Sequence, residues 1–280
     1  MSLEDHAGDI IRKSRMGLGV PPTEVASAGS LAPETLATYE DDGCLPPSID
    51  FNALSQRLTL DGKKLTEIAQ GWEPAPRDLT QWESLAQIRR DDGGMEVNCY
   101  LVWDEEAGIA ALFDTGWVAA PIKALLDQAG VDLKFLFLTH SHYDHIEALG
   151  EVRKLYPNAN VFSQIKGAPA AQQVKQGDSF KLGRLEIAVR ETPGHAEDGL
   201  TFVVTGFPNE QPGIAIVGDA IFAGSIGGAP KHFEQARTKI REEILSLPAE
   251  TLICPGHGPV TTVEEELQHN PFFPTKSATL

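Results

Sequence analysis

Leu133-Lys134-Phe135-Leu136-Phe137-Leu138-Thr139-His140-Ser141-His142-Tyr143-Asp144-His145 is the stretch on which the reading of this 280-residue chain turns. Its first six residues are apolar except Lys134, as expected of a strand covered on both faces. Ligand-type side chains follow immediately. While the backbone stays extended, His140 and His142 project the same way, because side chains alternate with period two. Asp144 and His145 are consecutive, so they are expected to diverge and face different points. That arrangement suits one metal ion beside the histidine pair and a second beside the Asp-His pair. Neutral imidazole nitrogen and carboxylate oxygen are ligands that zinc and iron accept.

Three further punctuated turns carry the same chemistry. Thr192-Pro-Gly-His195, Val217-Gly-Asp219 and Pro255-Gly-His257-Gly258 each place one ligand-type residue just past a strand-like run. Loops on a rigid scaffold are where sites are built. One histidine alone reads as an ordinary hydrogen-bonded polar side chain; seven ligand types in four such loops read as a metal centre. Strands are expected at 97–103, 109–113, 133–138, 160–164, 179–182, 185–191, 200–205, 214–217 and 251–254. Helices are expected at 118–129, 144–156 and 233–246. Strands joined both by hairpins and through helices imply an α/β chain of helix-covered sheets. Cys254, on a short apolar strand, reads as a small buried hydrophobe.

Residues 1–56 differ from the rest. They hold Pro21, Pro22, Pro33, Pro46 and Pro47 and the acidic run Glu40-Asp41-Asp42. Such residues interrupt regular structure, so this segment is expected to be an extension of unknown role, draped or mobile, with one short helix over 51–58. Residues 57–280 then form the catalytic domain. The 23 Lys and Arg stand against 40 Asp and Glu, a net charge of −17 that repels phosphate backbones and argues against a nucleic-acid partner. Three scattered cysteines and no long apolar run imply a reducing, cytoplasmic setting without membrane contact.

The His140–His145 cluster, with His195, Asp219 and His257, resembles the metallo-β-lactamase superfamily signature from about Leu65 to Pro271. Asp114-Thr115-Gly116 looks like that family's early turn. The ending, Cys254-Pro-Gly-His257 through His269-Asn-Pro-Phe272, is similar to glyoxalase II-like members. The resemblance implies a four-layer αββα sandwich with the metals along one sheet edge. By it, His140, His142 and His195 would hold the first ion; Asp144, His145 and His257 the second; Asp219 would bridge. Asp219 stands where the best-known zinc β-lactamases place a cysteine, which disfavours antibiotic hydrolysis. Asp114 is a candidate to orient a ligand histidine. The segment Gly228-Ala229-Pro230 departs from relatives that continue with Arg and Asp, leaving Lys231 as the nearest substitute cation for a small-molecule substrate.

These expectations converge on a binuclear hydrolase using two divalent ions, zinc first and iron or manganese as alternatives. A metal-bridging hydroxide, oriented by Asp144, would attack a thioester, ester or lactone. The alternative implied by the same resemblance is a persulfide dioxygenase with a single iron on His140, His195 and Asp219. The oligomeric state is left open.

Overall fold

The computed structural model describes residues 2–166 and 171–274. It opens with five helices: α1 (Ala7–Leu18), α2 (Pro22–Ala28), α3 (Pro33–Asp42), α4 (Phe51–Arg57) and α5 (Gly62–Ala69). The prolines expected to break this region instead start its helices. Pro22 and Pro33 each occupy the first helical turn, where the missing N–H would be unpaired anyway. His6 and Asp9 form a reciprocal cap on α1, and Asp50 and Asp61 cap α4 and α5. Arg15 clamps the buried Glu40 through two bonds of 2.6 Å, tying α1 to α3. Helices α2 and α3 are joined by the four-residue turn Gly29–Ala32, yet residues 19–56 contain no Lys or Arg.

Two six-stranded sheets follow. The first contains β1 (Leu85–Asp92), β2 (Met95–Asp104), β3 (Ile109–Phe113), β4 (Asp132–Phe137), β5 (Asn160–Ser163) and β6 (Ala171–Gln173), in that order. Helix α6 (Ala120–Ala129) links β3 to β4. Between β4 and β5 the single helix expected at 144–156 is two, α7 (Tyr143–Ile146) and α8 (Leu149–Leu155). The second sheet contains β7 (Ser179–Leu182), β8 (Leu185–Glu191), β9 (Leu200–Thr205) and β10 (Ile214–Gly218). A small hairpin, β11 (Ile221–Phe222) and β12 (Ser225–Ile226), leads to α9 (Phe233–Lys239), which continues as a π-helical turn over Ile240–Ile244. Strands β13 (Leu252–Pro255) and β14 (Thr261–Thr262) complete the second sheet before α10 (Val263–His269).

Period two builds the layers. On β2, Tyr100 and Val102 face the second sheet, while Cys99 and Leu101 face α6 and α8. On β10, Ile214 and Ile216 face inward, while Ala215 and Val217 pack under α1–α5, α9 and α10. Phe137 sits centrally between the sheets, with ring centroids 5.3 Å from Phe113, 5.3 Å from Phe162 and 4.9 Å from Phe202. The result is a four-layer αββα sandwich whose N-terminal helices belong to one outer layer. Its strand ends carry the polar loops.

Candidate metal centre

Strand β4 ends at Phe137, and Thr139, His140 and His142 follow in the loop before α7. The end of β8 delivers His195, the end of β10 Asp219, and the end of β13 His257. Two groups of ligand-type atoms result. One is His140, His142, His195 and Asp219; the other is Asp144, His145 and His257. Within each group the ligand atoms lie within 4.8 Å of one another. All seven expected ligand residues are therefore brought together. The expected divergence of Asp144 from His145 is not observed: on one turn of helix both carboxylate and imidazole reach the same group, with Asp144 Oδ2 3.5 Å from His145 Nε2.

Four of the five imidazoles are held by one ring nitrogen and aimed with the other. His145 Nδ1 donates to Asp114 Oδ2 at 2.8 Å, and His140 Nδ1 to Thr139 Oγ1 at 3.0 Å. His195 Nδ1 donates to the Gly228 carbonyl at 3.0 Å, and His257 Nδ1 to the Glu96 carbonyl at 2.5 Å. In the neutral imidazole each Nε2 is then the lone-pair atom turned inward. His142 is the exception, presenting Nδ1 only 2.9 Å from His195 Nε2. His140 Nε2, His145 Nε2 and Asp219 Oδ1 are buried without hydrogen-bond partners. Buried polar atoms are nearly always satisfied, so these orphans, spread over both ligand groups, mark a place shaped for cations.

Asp219 lies between the groups. Its Oδ2 is 3.4 Å from His195 Nε2 and 3.4 Å from His257 Nε2, and its Oδ1 is 3.3 Å from His145 Nε2. Burial opposes its ionisation, but His145 and His257 hold the carboxyl well below its usual range. The same carboxylates act on the histidines. Against the pull of burial, Asp219 and Asp114 raise His145 to about 10, and Asp144 and Asp219 raise His257 to about 11. His140 and His195 are pushed down, chiefly by burial. Without a metal the centre therefore traps protons on one side and excludes them on the other.

Asp114 does more than stabilise its own turn. Its carboxylate also accepts from Thr139 N and Thr139 Oγ1, both at 2.7 Å. Gly256 is required by close approach: a Cβ there would stand 2.3 Å from Asp219 Oδ1 and 2.6 Å from His145 Cε1. The remaining histidines lie in other contacts. His6 caps α1, His269 pairs with Glu67 and stacks on Trp72, and His232 is exposed. Cys254 is buried and unpaired, as its strand predicted.

A groove of about 580 Å³ opens beside His142 and His195, lined also by Ser141, Gln164, Lys166, Glu197 and Asp198. Lys231, the expected substrate cation, is exposed and is not part of this lining. Ser141 and Lys166 had no signal in sequence. The anchors of His195 and His257 are backbone carbonyls, which no side-chain pattern reveals.

The chain belongs to the metallo-beta-lactamase superfamily, whose family model matches residues 92–257. It is 35% identical over 183 residues to the mitochondrial persulfide dioxygenase ETHE1 of Homo sapiens, covering 61% of this chain and 69% of that protein. It is 28% identical over 205 residues to the hydroxyacylglutathione hydrolase GloC of Haemophilus influenzae, covering 64% and 94%. Among solved structures, TTHA1623 in a di-iron-bound form matches with a TM-score of 0.54 and 26% identity, over 66% of this chain and 99% of that one. Helices α1–α5 lie outside the residues matched by the family model.

Proposed function

We propose that this chain is a metal-dependent hydrolase of thioesters, or of related esters and lactones, working with two divalent ions. The observation that carries the reading is Asp219, whose two carboxylate oxygens face both ligand groups at once. His140, His142 and His195 would hold one ion, Asp144, His145 and His257 the other, with Asp219 shared. Zinc is the first choice, iron and manganese the alternatives. Such a pair supplies a water of lowered pKa and a Lewis-acid contact for a carbonyl oxygen. The protein's own part is positional. His142 and His195 line the groove by which an acyl group reaches the centre. Asp144, held on His257 Nε2 at 3.1 Å, would orient the attacking water while also serving as a ligand. Buried Asp219 and Asp114 keep the imidazoles aimed.

A second reading rests on the persulfide dioxygenase relative, which is more nearly identical to this chain than the GloC hydrolase is. There a single iron would use His140, His195 and Asp219, a two-histidine, one-carboxylate face. Elemental analysis of protein purified without added metal, followed by thioester, lactone and persulfide assays, separates the two. For the hydrolase, Asp144→Ala or His257→Ala should drop about two ions per chain toward one and abolish hydrolysis. One iron per chain, unchanged in those variants, with oxygen uptake on a persulfide, would establish the dioxygenase instead. The acidic, Lys- and Arg-free α2–α3 region supports a small-molecule rather than nucleic-acid partner, and we place the protein in the cytoplasm. Among the described residues no helix is long and apolar enough to cross a membrane.

A further inference from the structure

The hairpin β11–β12 lies between two parts of the centre. Asp219 precedes it, and Gly227 and Gly228 follow it. Gly227 packs so closely that a Cβ there would stand 1.9 Å from the Asp219 carbonyl oxygen and 2.9 Å from the His195 ring. Gly228 supplies the carbonyl that accepts from His195 Nδ1. Phe222, within the hairpin, stands edge-on to His257 at 5.8 Å. One short element therefore adjoins three of the expected ligands, and where its backbone sits decides where they point.

The turn of that hairpin is gripped from α10. Glu266 is fully buried, and its two carboxylate oxygens share the Gly224 N–H at 3.0 and 3.2 Å. Asn270 Nδ2 donates to Glu266 Oε2 at 2.8 Å and to the Ser225 carbonyl at 2.9 Å, while Thr261 Oγ1 donates to Glu266 Oε1 at 2.9 Å. These partners are all neutral, which makes the carboxylate poor core material but a good clamp on a backbone turn. Other elements close on the same hairpin. A Cβ on Gly224 would stand 2.6 Å from Ile68 Cδ1, on α5, and Lys13, on α1, donates to the Ile226 carbonyl at 2.9 Å. We propose that Glu266 is a positioning residue of the metal centre: by fixing the β11–β12 hairpin it aims Asp219 and His195, although it lies outside both ligand groups. The inference rests on the reading of those groups as metal ligands. Because Asp219 faces both groups, a hairpin released at Gly224 loosens the whole centre.

The test uses the full-length protein, stripped by a chelator and reloaded with zinc or cobalt(II) alone. It is run at pH 8, above the value of about 7 to which burial lifts the Glu266 carboxyl. Competition with a chromophoric chelator reads affinity, and the visible absorption of the cobalt(II) form reads ligand geometry. Glu266→Gln keeps the volume but turns an NH2 toward donors; affinity should fall about tenfold and the cobalt(II) spectrum should shift. Asn270→Ser keeps the carboxylate but gives up the bond to Ser225; it should change both readouts in the same direction, and it tests the clamp independently if Glu266→Gln does not fold. Leu182→Ala, in the core on edge strand β7, should lower Tm yet keep wild-type affinity and spectrum. Wild-type affinity and spectrum in folded Glu266→Gln or Asn270→Ser, or an equal loss in Leu182→Ala, would overturn the inference alone. A wild-type protein that binds neither ion would overturn the reading of the centre and this inference with it.

Discussion

Replacing Asp114 by Asn changes no shape but reverses a proton. The carboxylate accepts three bonds: Thr139 N on Oδ1, and Thr139 Oγ1 and His145 Nδ1 on Oδ2. An Asn amide must keep its oxygen toward Thr139 N, where a second N–H would clash. Its NH2 then faces His145 Nδ1, which has to become an acceptor. The one proton that the neutral imidazole keeps then sits on Nε2, the atom that points into the centre. A ligand becomes a donor, and metal affinity should fall about 10–100-fold, the usual effect of losing such a partner and equivalent to about 1.4–2.7 kcal/mol. Folding stability should fall by about 1.5–3 kcal/mol for the lost charge-assisted bond. Competition with a chromophoric chelator gives the affinity, and thermal unfolding of the metal-free protein gives the stability. Asp114→Ala, which leaves buried donors unpaired, should be worse on both counts. If Asp114→Asn lowers stability while binding metal as tightly as wild type, the tautomer argument is wrong and Asp114 is only a structural brace.

The pH dependence has a definite sign. In the metal-free protein His145 and His257 lie near 10 and 11, so at neutral pH an incoming cation must expel their protons; apparent affinity should rise up to about tenfold per pH unit for each proton released, followed with a pH indicator. The same raised values stabilise the metal-free fold fully below the ordinary imidazole value of 6.5, and this contribution should fade as pH climbs through 10, lowering Tm. Gly256→Ala should give a protein with intact sheets by circular dichroism but lowered metal content, because the new methyl falls on Asp219 and His145; full occupancy would show that the β13 turn yields more than expected. Phe137→Ala should cost about 3–5 kcal/mol in denaturant unfolding by opening the inter-sheet core, and a loss below 1 kcal/mol would mean the two sheets collapse onto the gap.

Helix-covered sheets and the ligand-type residues at strand ends are legible because both are written in short-range code, whereas the four-layer order and the division of ligands between two ions follow only from the family resemblance. Alternation fixes which face of β2 or β10 is buried, and glycine beside His195, Asp219 and His257 marks strand-end turns. The N-terminal helices, though not the draping of that segment over the sheet, escape any reading that weighs proline as a breaker without regard to position. Pro22 and Pro33 sit in first turns, where they fit. Strand β1 was not read because its second half, Arg89-Arg90-Asp91-Asp92, is exposed and charged. Short β11, β12 and β14 have only two residues each, too few to show a period. The bond from Lys13 Nζ to the Ile226 carbonyl joins residues more than 200 positions apart, so nothing local announces it.

The four anchored histidines are not equally open to genetic change. Those on the first sheet's side, His140 and His145, lean on side chains, Thr139 and Asp114, and a single codon can remove either support. Those on the second sheet's side, His195 and His257, lean on the carbonyls of Gly228 and Glu96, which every residue possesses. Substitution can therefore retune one half of the centre gradually, whereas the other half yields only to loss of the ligand itself or to movement of the backbone.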